Sequence, residues 1–304
     1  MPLTIGTELT FRQHPAQCVL RILSCIRFGE VLVLQGSPLI GALFATGRPT
    51  IAQFVGIALM AAGSTLLVAH IFVLNDWSGI TYDVRDPNRS NGILTNKGIA
   101  RSGVGYLSLA LLVAALLLLS TFGSWTVTIA VAIAVLSAVY SFPSVHLKGV
   151  PVLSSVLHFA GGQLHFLLGY SVFIAPDWRG FQIGSFFALV FVAGHLTHET
   201  RDSESDQVND IRTNAVTFGK MRGFIGGLIL FTIADILLAV LALCSIVPRP
   251  LAVAVLIIPL QVYWSLTTIQ SGLTFASIQR LQVRYRALYA GMGLWIVAAL
   301  LFVR

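Results

Sequence analysis

The sequence predicts an all-α protein, a polytopic membrane bundle of about nine transmembrane helices. Three observations carry this. The 304 residues are 56% hydrophobic and only 10% charged, far from the balance of a soluble domain. Apolar runs of about 20 residues, long enough to cross a bilayer as helices, recur along nearly the whole chain. The basic residues also fall in a pattern that such a bundle produces and a soluble fold does not.

In chain order the runs occupy roughly 28–46, 51–74, 103–122, 124–142, 152–175, 181–199, 223–246, 250–271 and 286–303. The third and fourth are separated only around Phe122-Gly123 and read as a tight hairpin. The fifth carries His158, Gln163 and His165, so it fits a plain lipid-facing span least well. These spans and their short loops leave no room for a separate soluble domain, so residues 1–304 read as a single transmembrane unit. The first 25 residues include Glu8, Arg12, His14 and Arg21 and lack a signal-peptide core. Cys18, Cys25 and Cys244 show no metal-ligand spacing and read as reduced thiols.

If the N-terminus is cytoplasmic, fifteen of the 19 Lys and Arg residues fall on that side; Arg48, Arg179, Arg249 and Arg304 fall on the other. That is a strong positive-inside bias, and it places the N-terminus and the loops after the second and sixth helices in the cytoplasm. The net charge of +7 is then a topology signal that also suits an anionic lipid or a diphosphate; nucleic acid is not needed to explain it.

Acidic residues are scarce and gathered. Of the twelve Asp and Glu residues, eight lie between Asp76 and Asp86 or between Glu199 and Asp210. Asp76 and Asp83 are seven apart and share a helical face; Asp202, Asp206 and Asp210 step by four and share another, with Glu204 off it. Carboxylates crowded in this way repel unless a cation or protons intervene. Mg²⁺ needs only one or two carboxylates beside phosphate oxygens and waters. Arg85, Arg89, Lys148, Arg201 and Arg212 belong to the same side and would neutralise a diphosphate as a C–O bond breaks. An ordinary solvated polar loop is the plainer reading of either cluster taken alone.

Together these residues resemble the UbiA-type intramembrane prenyltransferase superfamily, whose members carry N-D-x-x-D-x-x-x-D after helix two and D-x-x-x-D after helix six. Asn75, Asp76 and Asp83 match the first motif, and Asp202 and Asp206 the second. Ile211 to Gly219 resembles the family's downstream segment, and Tyr140-Ser-Phe-Pro143 through Lys148 resembles its tyrosine-proline-lysine stretch. The resemblance implies a laterally open cavity in which Mg²⁺, held by Asp76, Asp83, Asp202 and Asp206, binds the diphosphate of an isoprenoid donor. It further implies that Asn75 is a ligand or orienting group, and that Arg89, Lys148 and Arg212 contact the diphosphate. Ionisation gives an allylic cation, which a small aromatic or quinone-precursor acceptor captures; Tyr82 and Tyr140 offer ring faces to that cation. A prenyl-phosphate sugar transferase or a membrane terpene cyclase fits the same superfamily.

The chain departs from the pattern at Gly79, where the family has its middle aspartate, at Ser90 in place of a proline, and at Asp210 in place of a glycine. Asp210 is a candidate to replace the carboxylate missing at Gly79. His195, His198 and Glu199 form neither zinc-hydrolase motif and read as a polar cavity wall; His158 and His165, seven apart, either face the same space or, the commoner case, satisfy hydrogen bonds between helices. Asp235 sits mid-span with no partner evident in the sequence, and it supports a proton- or ion-coupled transporter as the non-enzymatic alternative.

Overall fold

A computed structural model describes residues 26–83, 101–142 and 147–302, with the side chains of residues 80–83 left out. Arg89 and Pro143 lie outside the described residues, as do the side chains of Tyr82 and Asp83. Every regular element among the described residues is helical. In chain order these are α1 (Phe28–Leu34), α2 (Gly36–Thr46), α3 (Ile51–Asp83), α4 (Arg101–Leu119), α5 (Ser124–Ser141) and α6 (Leu153–Tyr170). They continue with α7 (Trp178–Val208), α8 (Asn214–Phe218), α9 (Lys220–Leu243), α10 (Ile258–Gln270) and α11 (Phe275–Phe302). Short 3₁₀ turns cover Ser120–Phe122 and Leu147–Gly149, and a longer one, Arg249–Ile257, leads into α10.

Among the described residues, eight helical segments are long and apolar enough to cross a membrane. The ninth expected span, α6, is not among them: its histidines and Gln163 dilute its apolar content, and its second half is buried between neighbouring helices. Large apolar side chains such as Leu117, Leu256 and Leu294 are more than two-thirds exposed, which suits a surface solvated by lipid tails. The chain is an integral, multi-pass membrane protein.

Proline accounts for one break in the expected pattern. The first span is two helices, α1 and α2, because Pro38 cannot donate to the carbonyl of Leu34, and the turn closes instead through Gln35 N–H to Leu32 O at 3.1 Å.

Close helix approach depends on glycine at one crossing. α2 and α6 meet with Gly41 against the Phe166 carbonyl oxygen and Gly169 against the Pro38 carbonyl, so backbone lies on backbone. Ile40, Phe44, Phe166 and Tyr170 flank the crossing and belong to the largest buried apolar cluster.

α3 and α7 run past their apolar segments, to Asp83 and Val208, so both acidic motifs sit on helices and not on the loops that follow them. α7 ends in a Schellman turn: Ile211 N–H bonds Asp206 O at 2.9 Å, Asp210 N–H bonds Gln207 O at 3.3 Å, and Asp210 takes φ +56°. Among side-chain residues, Asp and Asn tolerate that left-handed position best. Aspartate in a glycine's place is therefore explained by the helix stop, and its exposed side chain needs no metal to account for it.

Candidate active site at one end of the bundle

A continuous set of contacts leads from the first acidic motif to α7, the helix that carries the second. On α3, Ser78 Oγ donates to the Ser141 carbonyl at the end of α5, and the Trp77 ring meets Phe142 edge-on at 5.8 Å. One residue earlier on α5, Tyr140 packs edge-on against His158 of α6 at 5.0 Å. His158 in turn stacks on His195 of α7, with centroids 3.5 Å apart and planes within 10°. Tyr140 is also within electrostatic reach of Glu199 and Asp206. The first motif, Tyr140 and the second motif thus occupy one end of the molecule.

Each motif is met by an arginine. Arg27, just before α1, grips Asp76 with two guanidinium nitrogens, Nε reaching Oδ2 at 3.1 Å. Arg201 holds Asp202 in the same two-pronged way, at 2.6 and 2.8 Å, while its third nitrogen donates to Gln282 Oε1 of α11 at 2.8 Å. Such forks match carboxylate and phosphate oxygens equally well. Both arginines can therefore serve a diphosphate that displaces them from their carboxylates.

The remaining predicted residues are placed as follows. Asn75 and Asp76 are half-buried on α3, and Asp83 closes that helix. Asp206 is buried one turn beyond Asp202 on the same face of α7, whereas Glu204 points out and pairs with Lys220 at 2.7 Å. Lys148 is half-buried in the 3₁₀ turn before α6, and Arg212 is exposed between α7 and α8. Among the described residues no three His, Cys, Asp or Glu side chains come close enough to form a metal cage by themselves.

The histidine wall is more ordered than the sequence suggests. Glu199 Oε1 accepts from His195 Nε2 at 3.0 Å and Ser154 Oγ at 3.3 Å. Its Oε2 accepts from the Asn214 backbone N–H at 3.1 Å and side-chain Nδ2 at 2.9 Å. Asn214 reaches this position because Thr213, buried and accepting from Val216 N–H, caps the short helix α8. His165 bonds the Gly161 carbonyl through Nδ1 at 2.8 Å, just as His158 bonds that of Ser154, and its ring packs against Phe191, which also meets His158.

Asp235 has partners that are remote in sequence. Tyr289 Oη of α11 donates to its Oδ1 at 3.3 Å and accepts from Gln261 Nε2 of α10 at 3.0 Å. This is an interhelical clamp, and the acid is fully buried. Tyr289→Phe removes both bonds and is expected to cost about 1–2 kcal/mol of stability. Thermal unfolding in detergent should show this without loss of catalytic turnover; a variant as stable as wild type would remove the clamp from the account.

Comparison with known proteins identifies the family and the fold. The family model described as the UbiA prenyltransferase family matches residues 36–278. No protein of curated function matches the chain. Among solved structures, a UbiA homologue from Archaeoglobus fulgidus bound to GPP and Mg²⁺ superposes with a TM-score of 0.70 at 17% identity, over 91% of this chain and 99% of that one. A structure of a digeranylgeranylglyceryl phosphate synthase gives 0.68 at 17% identity, over 93% and 99%. The apo UbiA homologue from Aeropyrum pernix K1 gives 0.60 at 13% identity, over 90% and 96%. At these identities the structures establish a shared fold.

Proposed function

Because this chain belongs to the UbiA prenyltransferase family, we propose that it transfers a prenyl group from an isoprenoid diphosphate to a small aromatic or quinone-precursor acceptor within the membrane. The observation that carries the reading is that both family motifs lie inside the matched range, on helices whose ends are joined through α5 and α6. Support for the donor comes from the Archaeoglobus relatives, which bind GPP or DMAPP together with Mg²⁺.

The donor set fits Mg²⁺. It consists of hard oxygen ligands on two helices, and Mg²⁺ takes one or two carboxylates and completes its shell with phosphate oxygens and water. In this reading Asp76, Asp83, Asp202 and Asp206 would hold the metal, with Asn75 as a polar ligand or orienting group and no compensating ligand at Asp210. When bound, the ion supplies Lewis-acid stabilisation of the departing diphosphate.

The chain's own groups do the rest. Arg27 and Arg201 exchange their carboxylates for diphosphate oxygens, and Arg89, Lys148 and Arg212 add positive charge on the same side. The C–O bond breaks with its electron pair leaving on the diphosphate. The Tyr140 ring face then stabilises the allylic cation, and apolar walls exclude water from it. Residues 1–304 form one unit in this account, with the N-terminus and both motifs at the cytoplasmic face.

The test is product analysis in lipid nanodiscs with labelled geranyl diphosphate, Mg²⁺ and a panel of phenolic acceptors. Label recovered on an acceptor supports the transferase. Label recovered as a cyclic hydrocarbon would assign the chain to membrane cyclisation instead. An unchanged donor across a series of prenyl lengths would contradict both and reopen the transporter reading.

A further inference from the structure

Resting on the transfer reaction proposed above, we infer that His195, oriented by Glu199, is the base that removes the acceptor's proton when the new bond forms. Prenyl transfer to an aromatic carbon or hydroxyl leaves a surplus proton on the acceptor, and the motif carboxylates are committed to the metal. A separate acceptor for that proton is chemically required.

The hydrogen bonds define which nitrogen can take it. Glu199 receives four donated hydrogen bonds, two on each oxygen, from His195, Ser154 and Asn214. A carboxyl group so surrounded by donors acts as a carboxylate, because a protonated oxygen would have to donate. The carboxylate can only accept, so His195 Nε2 carries the hydrogen in their 3.0 Å contact. Among the described residues, the ring's hydrogen bonds all run through Nε2. Nδ1 is left with its lone pair. Once protonated, the imidazolium faces a fixed carboxylate, the arrangement by which an acid steadies a histidine base.

His158 is the rival base, and the geometry disfavours it. Its Nδ1 donates to the Ser154 carbonyl at 2.8 Å, so this hydrogen bond sets its charged form against a neutral oxygen and not a carboxylate. Its place is against the face of His195, with Tyr140 at its edge. Among the described residues, the titratable groups around His195 include His158 from α6, Tyr140 from α5 beyond it, and His198 and Glu199 on α7 itself.

The step balances. The donor's C–O pair departs with the diphosphate, and an acceptor electron pair forms the new C–C or C–O bond. The acceptor's proton passes to Nδ1, giving a neutral product and an imidazolium paired with Glu199. The proton returns to water after product release.

His195→Gln keeps a side-chain N–H for Glu199 and cannot take up a proton. With geranyl diphosphate, Mg²⁺ and the phenolic panel, we expect diphosphate release within about threefold of wild type. Prenylated product per diphosphate should fall about 10²-fold or more, with the missing prenyl groups recovered as alcohol. Glu199→Gln should show the same split in weaker form, and His158→Gln should keep most of the product. An unchanged product-to-diphosphate ratio in His195→Gln would overturn the assignment while leaving the transfer reading intact. Absence of diphosphate release by wild type would instead sink the transfer reading, and the base with it. A measurement independent of variant folding is ¹⁵N NMR of histidine-labelled wild type. His195 should appear as the Nε2–H tautomer, and an Nδ1–H tautomer would also overturn the assignment.

Discussion

Asp76→Ala and Asp202→Ala are each expected to lower Mg²⁺-dependent diphosphate release by about 10²–10³-fold, the usual cost of removing a group that stabilises developing charge. The two residues are alike in setting: each is half-buried near the end of a long helix and gripped by an arginine fork. In the proposed reading, loss of either removes a metal ligand; it also leaves a guanidinium without its carboxylate. Asp76→Asn and Asp202→Asn separate these effects, since they keep a side-chain oxygen while removing the charge. The same acidic stretch supplies an internal control. Glu204 lies between Asp202 and Asp206 in sequence but is exposed and paired with Lys220, so Glu204→Ala should turn over nearly as wild type. Equal losses in Glu204→Ala and Asp202→Ala would mean that bulk acidity matters here and a defined ligand face does not.

Gly169→Ala should be strongly destabilising for a single added methyl. A Cβ at this position would fall onto the Pro38 carbonyl, with the carbonyl carbon at 2.6 Å and Pro38 Cα at 2.9 Å. These are backbone atoms, so no rotamer change makes room, and α2 and α6 must separate. The cost should reach the upper part of the range of about 1–3 kcal/mol for overpacking, or exceed it. Gly41→Ala, which meets the Phe166 carbonyl from the other side of the same crossing, should behave alike. Gly291 on α11 has nothing within 4 Å of a built Cβ, so Gly291→Ala should be neutral or stabilising by about 0.5–1 kcal/mol. Thermal unfolding of the three variants in one detergent compares them directly; a Gly169→Ala protein as stable as Gly291→Ala would mean that the crossing is looser than described.

What the sequence could and could not reveal follows from the range of each signal. The spans were legible because bilayer thickness imposes a length of apolar chain that few other structures require. The motif carboxylates stood out because acids are rare in such a chain. Helix ends were not legible, since the helical spacing of Asp76 and Asp83, or Asp202 and Asp206, continues the helix after hydrophobicity stops. His158 and His165 each turn Nδ1 to the carbonyl four residues back on their own helix, and His158 also stacks on His195, choices that spacing does not encode. Arg27 is 49 residues from Asp76, and Asn214 reaches Glu199 only because a capped turn brings α8 back onto α7. Neither contact leaves a trace in local pattern. The role of Asp210 as a helix stop became visible only with its positive φ.

The most direct test of the central claim is a Mg²⁺ titration of diphosphate release by the wild-type protein in lipid, with geranyl diphosphate as donor and a phenolic acceptor present. The account predicts release that rises and saturates with Mg²⁺, disappears on chelation and returns when Mg²⁺ is restored. Release that is indifferent to Mg²⁺, or no release from folded protein at any concentration, would contradict it.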